Sequence, residues 1–314
     1  MMMFLMPSDL SVPSALVTLY SVGLLIFSHV IITEQSRTRK FLLYLFARHI
    51  EMPLLKISYH LFRGKWKRLG SKKIVRAIAS FLFARPFGYL GDSAKPVPYD
   101  EILHYIDETE GPIAVGPCRC RSAHRACDHP IETDIVLRSG YEAWTRAFPD
   151  HYRTISKAEA KDIVKQCHDL GMMHMIFIHC PVNLYNEYVI CNCCTCGCVP
   201  YIINRELGQL NYPLIDGYFM AVTDSSACTG CGACIEVCPF DARVLTGTVS
   251  ITGDNCYGCG LCSYKCPEEA ISMIRLRDPL PHRRDDGSWP DGYRPGFYKQ
   301  HEPYREEPNK GGKK

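Results

Sequence analysis

At 314 residues the chain has room for two domains or for one with appendages, and its 46% hydrophobic content is ordinary for a packed core. The formal net charge of +3 excludes a chain dominated by one sign, although Lys and Arg crowd residues 37–85 against the single acid Glu51. Cysteine is the outlier at 18 residues; the spacings are those of metal ligands rather than of a secreted disulfide framework, and thiolate ligands require a reducing compartment or metal insertion before oxidation.

Residues 10–32 carry no Asp, Glu, Lys or Arg. As a helix rising about 1.5 Å per residue, such a stretch spans a hydrocarbon core of about 30 Å. The basic lead and small-residue cleavage site of a signal peptide are missing. Residues 1–33 are therefore predicted to be a single-pass anchor in the inner (cytoplasmic) membrane. Arg37, Arg39 and Lys40 follow the span, which puts the C-terminal bulk on the cytoplasmic side. A buried helix of a soluble domain is the competing reading.

Residues 34–92 alternate apolar clusters with Lys and Arg. Ile74, Val75, Ile78, Phe81 and Leu82 recur at helical spacing, with Lys72, Lys73 and Arg76 between them and Trp66 nearby. This pattern predicts basic amphipathic helices lying on an anionic membrane surface or against a membrane-bound partner. The alternative is a solvated basic face. No nucleic-acid motif accompanies the charge, so no nucleic-acid partner is expected.

Residues 93–221 form a cysteine-rich module. A short helix over 99–106 and a strand over 113–115 lead into C-R-C-R-S-A-H-R-A-C-D-H-P-I-E-T-D, with Cys118, Cys120 and Cys127. Ser156 and Glu159 make a capping box. Behind it Ala160, Ile163, Val164, Cys167 and Leu170 share a helix face that Gly171 ends, so Cys167 reads as core. A strand over 173–179 precedes the ambiguous Cys180. Then I-C-N-C-C-T-C-G-C supplies Cys191, Cys193, Cys194, Cys196 and Cys198. Eight cysteines in two tight clumps are hard to justify as core. They offer at least one additional metal centre, either a further [4Fe-4S] cluster or zinc, with a redox-active dithiol as the remaining reading. Adjacent Cys193 and Cys194 do not easily serve one ion together. His124, His129, His174 and His179 read as surface or supporting residues.

Residues 222–277 contain C-T-G-C-G-A-C-I-E-V-C-P and then C-Y-G-C-G-L-C-S-Y-K-C-P. The run C-x2-C-x2-C-x3-C-P, written twice without histidine, points to a pair of iron–sulfur clusters rather than zinc. Gly230, Gly232, Gly258 and Gly260 let backbone N–H groups turn toward the sulfurs. Residues 278–314, rich in Pro, Gly and charge, are expected to be extended or disordered unless they drape over a partner.

The 222–276 stretch resembles a bacterial-type two-[4Fe-4S] ferredoxin, a β-hairpin and a helix repeated about a pseudo-twofold axis. In such ferredoxins the fourth thiolate of each cluster comes from the other half's C-P pair. The resemblance thus implies one cluster on Cys228, Cys231, Cys234 and Cys266, and another on Cys256, Cys259, Cys262 and Cys238. It also implies one-electron transfer at low potential. The wider 99–276 stretch, with its C-R-C-R, C-D-H-P-I-E-T, I-S-K-A-E-A and I-C-N-C-C runs, is similar to a broad family of bacterial and archaeal 4Fe-4S-binding proteins. Its members carry another cysteine seven residues after the one matching Cys127, where this chain has Asp134, a harder ligand.

The expected fold class is α+β: a transmembrane helix, an α/β cysteine-rich module and a C-terminal ferredoxin-like domain built as βαβ repeated. The expected function is a membrane-anchored electron-transfer protein or subunit, relaying single electrons between a cytoplasmic donor or acceptor and a membrane redox partner. No catalytic side chain and no small-molecule substrate are expected. The alternative is an electron-fed oxidoreductase subunit with the upstream cysteine module as its active site. No flavin or nucleotide motif is visible.

Overall fold

The computed structural model describes residues 41, 44–81, 92–179, 187–208, 212, 214, 219–253 and 255–276. The expected anchor, Leu82, Cys180 and the 278–314 tail lie outside them. Among the described residues no helix is long and apolar enough to cross a membrane.

A π-helical turn, Phe46–Ile50, runs into α1 (Glu51–Phe62), α2 (Lys67–Gly70) and α3 (Lys73–Ala79). The module follows as β1 (Asp92–Val97), α4 (Tyr99–Glu108), β2 (Ile113–Pro117), α5 (Arg119–His124), β3 (Glu132–Leu137) and α6 (Arg138–Ala147). It continues through β4 (Arg153–Ile155), α7 (Lys157–Asp169), β5 (Met173–His179), β6 (Glu187–Cys193) and α8 (Val199–Leu207). The Ser156 hydroxyl accepts the Glu159 N–H at 3.1 Å, so α7 starts at the capping box. The six strands form one sheet in the order β1-β5-β6-β3-β2-β4. Every pairing is antiparallel. The α/β module is thus mixed in content but not parallel, because links as short as α5 join neighbours that reverse direction rather than crossing over the sheet.

Strand side chains alternate between faces. One face buries Ile113, Val115, Ile135 and Ile190 under Ile102 of α4 and Val164 of α7. The other buries Ala114, Val136, Met175 and Val189 under Trp144 of α6, Ile202 of α8 and Phe62 of α1. Asp134 pairs with Cys191 across β3 and β6. The period of two puts Asp134, Cys191 and Cys193 on this second face.

The basic segment packs onto that face. Glu51 pairs with Arg119 at 2.8 Å, the side chains being 12% and 10% exposed. The Tyr59 ring stacks on His124 at 3.7 Å, Arg63 donates to the Thr195 carbonyl at 3.0 Å, and Arg76 meets Glu206 at 3.4 Å. Ile57, Trp66, Leu69, Ile74 and Ile78 remain exposed.

The last unit runs β7 (Phe219–Thr223), α9 (Ala233–Glu236), β8 (Arg243–Thr246), then β9 (Val249–Thr252), α10 (Leu261–Tyr264), β10 (Ile271–Arg275). It is strand–helix–strand twice. β7 pairs with β10 and β8 with β9, so pairing runs between the halves rather than within each as expected. This interleaving carries each half's C-P pair toward the other half. The unit seats on the module through Tyr201, whose hydroxyl donates to the Pro239 carbonyl at 2.6 Å. Tyr264 to Asp169 at 3.2 Å and Arg275 to Glu101 at 2.7 Å complete the seat.

Removing one member of a mostly buried ion pair leaves the other uncompensated. Glu51→Ala should therefore cost about 3–5 kcal/mol, read as a lowered Tm, and the Glu51→Ala/Arg119→Ala double variant should recover part of the loss.

Candidate metal centres

In the ferredoxin-type unit Gly230 and Gly258 have φ of +69° and +74°. A Cβ would lie 2.6 Å from the Thr248 oxygen at the first and 2.4 Å from the Phe219 oxygen at the second. The loops press on neighbouring strands so closely that only glycine fits. Cys228, Cys231, Cys234 and Cys266 surround one cavity of about 310 Å³, its mouth included. Cys238, Cys256, Cys259 and Cys262 surround a second of about 310 Å³. Each cavity draws three thiols from one motif and the fourth from the other motif's C-P pair. Each ring of four thiols is the donor set that a cuboidal cluster takes.

Arg243 lies between these cavities, 2% exposed. Its guanidinium donates to the Thr223 hydroxyl at 2.5 Å, to the Ser250 carbonyl at 3.3 Å and to the Thr252 hydroxyl. Arg243 lines the second cavity and Ser250 the first. Burial pushes the Cys262 thiol up to about 12, against the pull of the Arg243 charge. Backbone N–H groups of Ser250 and Gly230, helped by Arg243, hold Cys228 below the usual thiol value.

The eight upstream cysteines separate into two sets. Cys127, Cys194 and Cys196 join His129, their ligand atoms all within 4.8 Å of one another. The Cys127 and Cys194 sulfurs are 3.6 Å apart, and Cys196 Sγ lies 3.8 Å from His129 Nδ1. The second set is Cys118, Cys120, Cys191, Cys193 and Cys198, which with Asp134 lines a cavity of about 1500 Å³, its mouth included. Leu54, Leu55, Phe62, Val75 and Ile203 make its apolar wall. Cys193 and Cys198 are 3.4 Å apart. The Val199 N–H donates to Cys120 Sγ at 3.4 Å, and Cys191 donates to Asp134 Oδ1 at 3.3 Å. Adjacent Cys193 and Cys194 part company because β6 ends at Cys193, which follows the strand's alternation into the cavity.

Arg121 stands between the two sets, 1% exposed. It donates to the Asn192 carbonyl at 2.9 Å and to Cys194 Sγ at 3.9 Å, and its other terminal nitrogen donates to the Thr133 hydroxyl. Burial disfavours its charge, and the Cys118, Cys194 and Cys193 sulfurs favour it when they are ionised. Burial and the nearby Cys120 thiol push Cys118 above the usual thiol value. Cys120 is raised by its hydrogen bond with Cys198 and by burial. Burial also lifts the Asp134 carboxyl above its ordinary value, opposed by hydrogen bonds from Tyr152 and Cys191. The Tyr152 hydroxyl donates to Asp134 Oδ2 at 2.8 Å. Gly116 makes that possible, since a Cβ there would sit 2.5 Å from the Tyr152 ring.

Cys167 is core, packed with Met172 and Cys194. His174 bonds Asn192 Oδ1 at 2.8 Å and is pushed down to about 4 by burial, and His124 bonds the Gly197 carbonyl at 2.9 Å; both support the fold. His129, expected in a supporting role, lies with Cys127, Cys194 and Cys196 in one candidate metal-ligating group. The C-x-H of Cys127 and His129, facing the C-x-C of Cys194 and Cys196, was the signal that could have found it. Arg121, Tyr152 and Arg243 carry no sequence signature.

A family model described as a 4Fe-4S dicluster domain matches residues 220–269. No curated protein matches the chain. No solved structure matches it either. The matched segment is a 4Fe-4S iron–sulfur unit, which makes iron–sulfur electron transfer the class of activity it supports.

Tyr152→Phe strips a buried acceptor of its donor. It should lower stability by about 1–3 kcal/mol, measured as a drop in denaturation midpoint, with Gly116→Ala moving the midpoint the same way.

Proposed function

We propose that this chain is a membrane-anchored iron–sulfur electron-transfer protein or subunit, working on the cytoplasmic side between a soluble donor or acceptor and a membrane redox partner. Two bound [4Fe-4S] clusters would supply the reversible one-electron change. The observation that carries the proposal is the pair of cavities, each ringed by four cysteines drawn from both motifs. Cys228, Cys231, Cys234 and Cys266 would hold one cluster, and Cys256, Cys259, Cys262 and Cys238 the other.

The residues around these cavities support a direction for the relay. Cys231 is exposed, giving the first cavity an edge that a soluble partner can reach. The second cavity adjoins α8, where Tyr201 binds the carbonyl of Pro239 beside Cys238. Cys198 precedes that same helix and belongs to the five-thiol set. One helical turn of about 5.4 Å and a tyrosine side chain thus link the second cavity to the upstream cavity. Exposed Trp66, Leu69, Ile74 and Ile78, together with the apolar run at 10–32, support contact with a membrane or a membrane-bound partner.

Cys118, Cys120, Cys191, Cys193 and Cys198 would hold a third centre, with Asp134 as a harder donor beside them. The apolar wall of their cavity, made by Leu54, Leu55, Phe62, Val75 and Ile203, favours the second reading, an electron-fed oxidoreductase subunit in which an organic molecule binds next to that centre.

Anaerobic purification from membranes with iron and sulfide counts and reduced-state EPR tests the proposal. The two motifs should bring about eight irons and eight sulfides per chain and the interacting signals of a reduced pair. A chain that binds fewer than four irons, or gives no reduced-state signal, would sink it. Arg243→Gln removes a buried positive charge that favours the extra electron. It should lower the midpoint potential by on the order of 50 mV in an EPR-monitored titration, at unchanged iron content.

A further inference from the structure

We infer that Cys127, His129, Cys194 and Cys196 form a closed, tetrahedral zinc site, separate from any iron–sulfur centre. Zinc–sulfur bonds of about 2.3 Å and zinc–nitrogen bonds of about 2.0 Å place tetrahedral ligand atoms roughly 3.5–3.8 Å from one another. Here Cys127 and Cys194 are 3.6 Å apart, Cys196 and His129 are 3.8 Å apart, and all four ligand atoms fall within 4.8 Å. A cuboidal cluster instead spreads its four thiolates over four irons. The eight ferredoxin-type sulfurs, which surround cavities, do not gather in this way. Spacing alone therefore separates a one-ion site from the cluster sites in the same molecule.

The donors agree with the spacing. Three thiolates and an imidazole are the Cys3His set of structural zinc sites, with no position left open. Three thiolates exceed the charge of a zinc ion by one negative unit. The buried Arg121 guanidinium, 3.9 Å from Cys194 Sγ, offsets that unit. Cys167 and Met172 close the site from the core side.

The position gives the ion its task. Cys127 and His129 lie in the segment joining α5 to β3, and Cys194 and Cys196 in the turn joining β6 to α8. Cys118 and Cys120 stand just before the first pair, and Cys191, Cys193 and Cys198 flank the second. Zinc staples together the two segments that bring the five-thiol set to its cavity. The inference does not rest on the electron-relay reading.

The full-length protein, purified anaerobically from cells grown with both metals, should carry one zinc per chain by elemental analysis. Cys127→Ser and His129→Ala should lower zinc by roughly 10-fold or more and leave the ferredoxin iron in place. His129→Cys, which preserves four donors, should retain the zinc, so loss of folding in the other variants does not decide the matter. Cobalt in place of zinc should show tetrahedral thiolate bands that His129→Cys shifts. A wild-type chain without zinc overturns the inference whatever its iron content. So does a Cys127→Ser chain that loses iron and keeps zinc. Failure of the relay reading would appear in iron and EPR alone.

Discussion

Burying a thiolate without a cation is the constraint on which the rest of this molecule depends. Cys118, Cys193, Cys198 and Cys262 are all buried. Desolvation pushes such thiols toward the neutral form, and only a nearby positive charge makes the ligand form stable. Metal ions are one source of that charge. The chain supplies the other: Arg121 and Arg243, 1% and 2% exposed, each lie between two thiol-lined sites. A buried guanidinium costs several kcal/mol unless it is compensated. Here the compensation and the candidate sites coincide, because the thiols that need a cation are also the candidate metal ligands.

The scaffold is arranged around those sites. The sheet's second face carries Asp134, Cys191 and Cys193, and α5 brings Cys118 and Cys120 over it. The basic segment covers the resulting cavity, with its single acid Glu51 spent on Arg119. Part of the charge that reads as a membrane-facing surface instead holds the segment to the module, through Arg63 and Arg76. Trp66, Leu69, Ile74 and Ile78 stay outward beside the exposed Lys65, Lys67, Arg68, Lys72 and Lys73. Helix α8 then joins this chamber to the ferredoxin-type unit through Tyr201.

By itself the sequence determined whatever is local. The double C-x2-C-x2-C-x3-C-P run, its glycines and the Ser156 cap are legible because their physics closes within a dozen residues. The core role of Cys167 follows from helical period for the same reason. Only the tertiary structure decided which distant groups meet. It split Cys193 from Cys194 by ending a strand between them, brought His129 to Cys196 across 67 residues, and set Arg121 between the two thiol sets. Spacing along the chain fixes the reach of a loop, but the register of an antiparallel sheet chooses the loop on the far side of a site, and no short stretch of sequence encodes that register.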